Sequence, residues 1–437
     1  MQKKSYIMWF ILALAYIIAY FHRVSLAVVL DYLVLDFKIT DAALAGTLAS
    51  MYAIIYMPMQ IPAGFFADFW GPRKTAFTGM TVAGVGSIIF ALAPRPFLSF
   101  IGRGMVGLGV SVLMVSVLKF QASWFKPAQF ATMTGLLLFA GNLGGLMGTT
   151  PLAFLVLNLG WRNAFCIIGI VSFIIALLCW LIVRDAPANM ALSSSMQKNK
   201  KDKNIVKREF VTALKNVLKN PYTWPPLMAT FGVYGTLIAF SGTWSISYLM
   251  QVYSFTRTES ANYMLALALG MILGCPIIGY LSDKTARRKM PHLIFFAVYI
   301  ALWGLLFIWN EGKPPSAALY YIFFFMGLSG ATVTTIFASA KEVNHSAYSG
   351  LATGIVNMGS FTGIAIMQPL LGYILDLKWE GEMVFGTKFY PLSAYRSIFA
   401  AVLFINIICF VFALKIKETK CQNIFVIAAS QQASARE

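Results

Sequence analysis

Charged residues are scarce in this sequence, and acidic ones are scarcer still. Of 437 residues, 11% are charged and 16 are Asp or Glu, whereas 59% are hydrophobic. A water-soluble globular domain carries about 25% charged residues, because they cover its surface. The composition therefore excludes a soluble enzyme, and it is typical of a chain whose helices face lipid.

Residues for cross-linking or catalysis are also few. The five cysteines are scattered, and four of them (Cys166, Cys179, Cys275 and Cys409) fall in predicted helices, so no disulfide framework is expected. We find no phosphate-binding loop, no cluster with metal-ligand spacing and no catalytic triad. We therefore predict neither enzymatic nor ATP-driven chemistry, and no cofactor.

Hydrophobic stretches of about 20 residues, long enough to cross ~30 Å of hydrocarbon, recur along the chain. In lipid every backbone polar group needs a partner within the protein, so these stretches are predicted to be helices. They lie near 5–30, 43–67, 74–94, 97–120, 130–157, 163–183, 225–250, 261–281, 291–309, 317–339, 350–374 and 393–414.

The net charge of +18 follows the predicted topology. With the amino terminus in the cytoplasm, 24 of the 34 Lys and Arg residues fall in or beside cytoplasmic segments and 8 in external ones. This asymmetry is the positive-inside rule, and it predicts that both termini and the central loop are cytoplasmic. The basic balance then indicates contact with anionic lipid, and we expect no nucleic-acid partner.

A polar stretch in the middle of the chain predicts two bundles joined by a linker. The predicted units are an N-terminal bundle 1–183, a cytoplasmic linker 184–224, a C-terminal bundle 225–414 and a cytoplasmic tail 415–437. In the linker, Val206, Phe210, Leu214 and Val217 recur at helical spacing. This pattern favours a helix on the membrane surface, with a solvated tether as an equal alternative.

The two halves repeat one another. Gly64, Asp68 and Arg73 follow the second stretch with the same spacing that Gly279, Asp283 and Arg288 show after the eighth. Trp161-Arg162 at the start of the sixth stretch returns as Tyr395-Arg396 at the start of the twelfth. Such repeats predict two bundles of similar architecture.

The segment from Gly64 to Lys74 resembles the signature of the major facilitator superfamily between helices two and three, although Phe69 replaces the usual basic residue. Arg103 with Gly104, Gly107 and Gly109 resembles the family's second motif. The resemblance implies an all-α integral membrane fold of twelve transmembrane helices in two pseudo-symmetric six-helix bundles. It also implies alternating access to a central site.

The repeated loops contain candidate gate residues, because an Asp followed by Arg and Lys can form charge-assisted hydrogen bonds that hold one orientation of the bundles. The alternative is that these basic residues only enforce topology. The predicted gate consists of Gly64, Asp68, Arg73, Lys74, Asp283, Arg287 and Arg288.

Basic residues within the membrane indicate the substrate class. All sixteen acidic residues are expected in loops, tails or helix ends, whereas Arg23 and Arg103 lie within predicted helices. A cation left in lipid costs ~2.5–3.5 kcal/mol, so both should face the interior. A positive cavity without a buried counter-charge favours an anion. Arg23 also resembles the helix-one arginine of family branches that carry organic anions.

Aromatic and polar residues near these arginines complete the predicted site. Tyrosines inside helices line polar cavities or pack between helices, and Asn357 could instead hydrogen-bond between helices. His22 is a candidate proton carrier, with simple packing as its alternative. The predicted substrate-binding residues are Tyr20, Arg23, Tyr52, Tyr56, Trp244, Tyr248 and Asn357, and the predicted proton-coupling residues are His22 and Arg103.

Together these features predict proton-coupled import of a small organic anion by a monomer in the bacterial inner membrane. Carboxylates, polycarboxylate chelators such as siderophores, and phosphate esters are the expected substrates. One alternative is proton-driven efflux of drugs or metabolites, and another is a transporter-like sensor without flux.

Overall fold

The computed structural model describes residues 2–424 except 40, 126, 186–202, 346–347 and 385–386. Side chains at 2–3, 61, 64–65, 67–69, 122, 127–132, 134–135, 203–209 and 349 are also outside the description. The predicted gate residues Gly64 and Asp68 therefore belong to the part whose side chains are not described.

The first half forms six spans. Span 1 consists of Gln2–Val24 and Leu26–Phe37, span 2 of Ala42–Phe69, span 3 of Gly71–Leu92, span 4 of Pro96–Ser111 and Leu113–Trp124, span 5 of Pro127–Met147 and Thr150–Leu159, and span 6 of Trp161–Ile182.

The second half repeats this arrangement after the linker helix Lys203–Lys219 and the short turn Pro221–Thr223. Span 7 comprises Trp224–Thr230, the π-helical turn Phe231–Gly235, Thr236–Ala239, the π-helical turn Phe240–Trp244, and Ser245–Tyr253. Span 8 is Arg257–Lys284, span 9 Lys289–Ile308 with the 3-10 turn Trp309–Gly312, span 10 Ser316–Gly330 and Val333–Glu342, span 11 Ser349–Leu377, and span 12 Leu392–Ala413. A small antiparallel hairpin, Met383–Val384 and Thr387–Lys388, precedes span 12.

Eleven of the described helices are long and apolar enough to cross a membrane. The twelfth crossing is span 7, which two π-helical turns divide into shorter helices. The predicted all-α membrane fold is confirmed. Because each half has six spans, the start of span 1, the linker helix and the end of span 12 share one side, which we call the linker side. The opposite side is the far side.

Span 1 is longer than predicted, and this corrects one expectation. Its second helix runs to Phe37, seven residues beyond the predicted end at residue 30. Asp31 therefore lies in the middle of a helix, and the prediction that all acidic residues occupy loops, tails or helix ends is wrong.

The two halves meet closely along spans 2 and 11. A Cβ atom on Gly46 would come within 2.9 Å of the Pro369 Cα, so only glycine permits this approach of the two backbones. On the linker side, Val217 of the linker helix is buried against Ala352 and Ile355 of span 11. The central space between spans 1, 5, 7 and 8 is left for the candidate site.

Candidate functional site

Arg23 lies where span 1 is interrupted. The first helix of the span ends at Val24 and the second begins at Leu26, so Arg23 occupies the last turn before the break. Its Nη1 donates a hydrogen bond of 2.8 Å to the Tyr234 hydroxyl on span 7. The arginine of one half is thereby bonded to the other half.

Aromatic rings from three further directions surround the Arg23 guanidinium. Its central carbon lies 4.2 Å from the ring centre of Tyr20, 5.1 Å from that of Phe361 and 5.9 Å from that of Tyr56. Each such contact stabilises a cation by about 0.5–2 kcal/mol. In the described part of the chain no salt bridge joins Arg23 to a carboxylate, and its buried Nε has no hydrogen-bond partner.

A partly open cavity with about 60 Å³ of space for the centres of water-sized molecules adjoins Arg23. Tyr20, Arg23 and Tyr234 form its charged end, and Asn142 and Ser241 contribute further polar groups. Among the described residues that line it, none is Asp or Glu. An anion entering this cavity would meet one cation and no competing negative charge.

Arg103 and His22 lie elsewhere. Arg103 is 1% exposed, and its Nη1 donates a hydrogen bond of 3.2 Å to the His22 carbonyl, next to the break in span 1. The His22 ring is fully buried beside Phe21 and Phe165. Neither residue is among the described residues that line the cavity, so the structure does not bring the two predicted proton-coupling residues to it.

The remaining predicted binding residues fall into two groups. Tyr52 and Tyr56 stack on each other with ring centres 5.5 Å apart, and Tyr56 stacks on Phe361 at 3.9 Å, so these tyrosines support the Arg23 cluster. Asn357 donates a hydrogen bond of 3.1 Å to Gln60 across the two halves. This last contact is the interhelical alternative that the sequence left open.

Trp244 and Tyr248 are not brought to Arg23. The Trp244 indole donates to the Gln368 carbonyl at 3.1 Å, and the Tyr248 hydroxyl donates to the Gly312 carbonyl at 2.7 Å. The Tyr248 ring packs within the second half against Phe399. Both side chains therefore have structural partners away from Arg23.

The second repeated loop forms a polar cluster on the linker side. Arg288 donates to Asp283 at 2.6 Å and to Glu342 at 3.0 Å, and its backbone N–H donates to Glu418 at 2.8 Å. The cluster joins spans 8 and 10 and the tail, all within one half. Sequence reasoning missed Glu342 and Glu418. Arg287 contributes a backbone hydrogen bond to the Ser282 carbonyl.

The first repeated loop also bonds within its own half. Arg73 donates through Nε to the Trp180 carbonyl at 2.8 Å, and its backbone N–H donates to Asp185 at 2.9 Å. Lys74 is exposed. A gating role for both loops stays a prediction, because these described contacts do not cross between the halves.

An ion pair and a backbone hydrogen bond on the far side do cross between the halves. Arg257 of span 8 donates to Asp31 at 2.6 Å and to the Val28 carbonyl at 2.6 Å. Asp376 at the end of span 11 accepts a hydrogen bond of 3.1 Å from the Ala43 backbone N–H of span 2. We call the Asp31–Arg257 contact the far-side latch. Sequence reasoning missed it, because the prediction ended span 1 before Asp31.

Known proteins resemble this chain over nearly its whole length. The family model described as Major Facilitator Superfamily matches residues 12–368. The probable hexose phosphate transport protein of Chlamydia muridarum is 25% identical over 411 residues, covering 87% of this chain and 89% of the relative. The probable sulfoacetate transporter SauU of Cupriavidus necator is 23% identical over 397 residues, covering 88% and 90%.

A solved structure shows the same architecture. The bacterial homologue of the human lysosomal transporter Spinster, in an inward-facing and unoccupied conformation, superposes with a TM-score of 0.74 at 17% identity. The match covers 94% of this chain and 97% of that one. The chain belongs to the Major Facilitator Superfamily, and it is a multi-pass integral membrane transporter and not an enzyme.

Proposed function

We propose that this transporter carries a small organic anion by alternating access, and that Arg23 binds the negative group of the substrate. The observation that carries the proposal is the position of Arg23 at a cavity between the halves, with a free Nε and no acidic partner among the described residues. The positive charge of a guanidinium in such surroundings is neutralised when the bound substrate supplies a negative charge.

The names of the relatives support the same substrate class. Hexose phosphate and sulfoacetate are both small organic anions, although they differ in the acid group. These proteins share the overall family with the present chain, so the proposal takes from them only that the substrate is negatively charged. It does not take from them which acid group the substrate carries.

We propose import driven by a proton gradient, with the linker side in the cytoplasm as the distribution of basic residues predicts. The geometry gives no support to His22 as the proton carrier, because its ring is buried away from the cavity. Uptake into proteoliposomes with and without an imposed pH gradient tests the coupling. Uptake that is equal in both conditions would remove protons from the proposal.

The test of the binding role is substitution of Arg23. Arg23→Ala removes the cation, and we expect at least about a thirtyfold loss of apparent affinity, because truncating one partner of a buried charged contact costs roughly 2–5 kcal/mol. Arg23→Lys keeps the charge without the planar fork and should retain part of the uptake. Uptake of a panel of labelled carboxylates, sulfonates and phosphate esters is the measurement.

Arg162→Gln is the matched control. Arg162 pairs with Asp36, lies 40% exposed and does not belong to the described cavity lining, so its loss should leave affinity unchanged. Normal uptake of every anion by the Arg23→Ala protein would refute the proposal. Equal losses in both variants would assign the effect to folding instead of binding.

A further inference from the structure

The body of the cavity differs in chemistry from its charged end. Met264, Leu267 and Met271 of span 8 line one wall at spacings of three and four residues, which places them on one face of the helix. Ile238 and Ile246 of span 7 line the cavity as well. Beyond the charged end, a bound molecule would therefore contact mainly methyl, methylene and thioether groups.

The charged end provides one cation. Arg23 is the single basic residue among the described residues that line the cavity. The buried Arg103 bonds to the His22 carbonyl instead, and the buried Arg257 pairs with Asp31. One guanidinium balances one negative charge. A carboxylate or sulfonate matches this site better than a phosphate ester, which carries close to two charges at neutral pH.

Polar groups for holding the acid group are also present. Ser241 is 7% exposed, lines the cavity, and has a hydroxyl without a hydrogen-bond partner in the described part of the chain. The Arg23 Nε likewise has no hydrogen-bond partner among the described residues. Ser241 belongs to the π-helical turn Phe240–Trp244, a type of turn that often occurs at functional sites.

The apolar wall discriminates against substrates rich in hydroxyl groups. A hydroxyl that leaves water and finds no partner on the wall lowers affinity by about tenfold. A hydrocarbon body of the same size gains affinity by leaving water for the same wall. The difference in affinity between a hydrocarbon body and a hydroxylated one grows with each additional hydroxyl. It therefore exceeds the effect of small differences in the shape of the two molecules.

Accepting the proposed function, we infer that the substrate is a monoanion with a compact apolar body. Its carboxylate or sulfonate binds Arg23 and the Ser241 hydroxyl. Its body packs against Met264, Leu267 and Met271. Sugar acids and sugar phosphates are then poor substrates.

The test compares two six-membered-ring carboxylic acids. Cyclohexanecarboxylate and glucuronate have the same acid group and rings of similar size, but glucuronate carries hydroxyls around its ring. Competition against a transported anion in proteoliposomes, with thermal-shift titration of the purified protein, gives their relative affinities. We expect cyclohexanecarboxylate to bind at least about a hundredfold more tightly, because two or more hydroxyls would lack partners.

Variants assign the preference to the wall. Met271→Asn places a polar group there and should lower the ratio of the two affinities at least about fivefold. Ala268→Ser adds one hydroxyl with little change of volume, so it provides a second measurement if Met271→Asn does not fold. Met290→Asn, at an exposed position outside the described lining, is the control and should leave the ratio unchanged. Ser241→Ala should weaken both acids by a similar factor.

The outcomes separate the two proposals. Equal or tighter binding of glucuronate, still abolished by Arg23→Ala, would overturn the apolar-body inference and leave the anion transporter intact. Binding of neither acid, together with uptake that does not depend on Arg23, would overturn both.

Discussion

The far-side latch makes a quantitative prediction about the conformational equilibrium. Asp31 of span 1 and Arg257 of span 8 are bonded at 2.6 Å, and the Ser247 hydroxyl donates a further bond of 3.3 Å to Asp31. Separating the halves on this side exposes both charges to water. Asp31→Asn removes the ionic contact that stabilises the far-side-closed state. It changes the free energy of the far-side-open state little, so the population should shift toward the far-side-open state.

The exposure of the pair determines the magnitude. The Arg257 side chain is 9% exposed and the Asp31 side chain 26%, so the pair lies between the buried and exposed cases. Removing one partner of a buried pair costs roughly 3–5 kcal/mol, whereas an exposed pair contributes about 0–1 kcal/mol. We expect an intermediate loss of about 2 kcal/mol, equivalent to a shift of roughly thirtyfold in the equilibrium.

The assay is labelling of a buried cysteine from the far side. Ala45 is 1% exposed and lines the same far-side pocket as Asp31. In a variant without the five native cysteines, Ala45→Cys should react slowly with a membrane-impermeant maleimide in intact cells. Adding Asp31→Asn should raise the rate by about thirtyfold, since labelling follows the far-side-open population.

Asp36→Asn is the matched control, because Asp36 lies on the same helix but pairs with Arg162 of span 6 in the same half. It should not change the rate. Exchanging the charges, with Asp31→Arg and Arg257→Asp together, should restore slow labelling. A rate in the Asp31→Asn protein within threefold of the parent, or an equal increase in the control, would refute the latch.

Two further predictions concern the cavity and the tail. Gly145 lines the cavity, and a Cβ built on it would meet nothing within 4 Å. Gly145→Leu should therefore reduce uptake at least about tenfold, because the new side chain would occupy the binding volume. Gly304 is also in open space but lies outside the described lining, so Gly304→Leu should leave uptake unchanged. For Glu418, partial burial raises the pKa, but hydrogen bonds from four backbone N–H groups outweigh it, and the net pKa is below its ordinary value. Its stabilisation is therefore fully present above the unfolded pKa and is lost as pH falls through the lower, folded pKa. The difference in thermal unfolding midpoint between the parent and Glu418→Gln should shrink as the pH falls below the ordinary pKa of glutamate and disappear below the folded pKa.

The helical content and the central arginine were accessible to sequence reasoning for simple physical reasons. Apolar length predicts membrane helices directly, because lipid admits few alternatives. Arg23 stood out because a cation inside a hydrophobic helix needs a polar environment. Its acid-free surroundings agree with the prediction, although its aromatic partners Tyr234 and Phe361 lie on spans of the other half and could not be paired with it from spacing.

The failures have equally physical causes. His22 and Arg23 are adjacent in sequence, but neighbouring helix positions point about 100° apart, so only one of them can face the cavity. On span 7 the two π-helical turns change the helical phase, and side chains beyond them rotate away from the pattern of a regular helix. Ser241 thereby lines the cavity while Tyr248 packs inside its own half. Helical periodicity alone does not reveal such turns.

Span 1 contacts the second half at two positions along its length. One contact lies at the proposed binding site and the other is the far-side latch. Arg23 bonds to Tyr234 before the break at Ser25, and Asp31 bonds to Arg257 after it. The two positions are eight residues apart, roughly 12 Å along a helix, and the described side-chain contacts show no shared partner. Sites this distant contribute almost additively, so Tyr234→Phe and Asp31→Asn together should shift the labelling equilibrium by the sum of their separate effects, within about 0.5 kcal/mol. A larger deviation would show that the break transmits the state of the binding site to the latch.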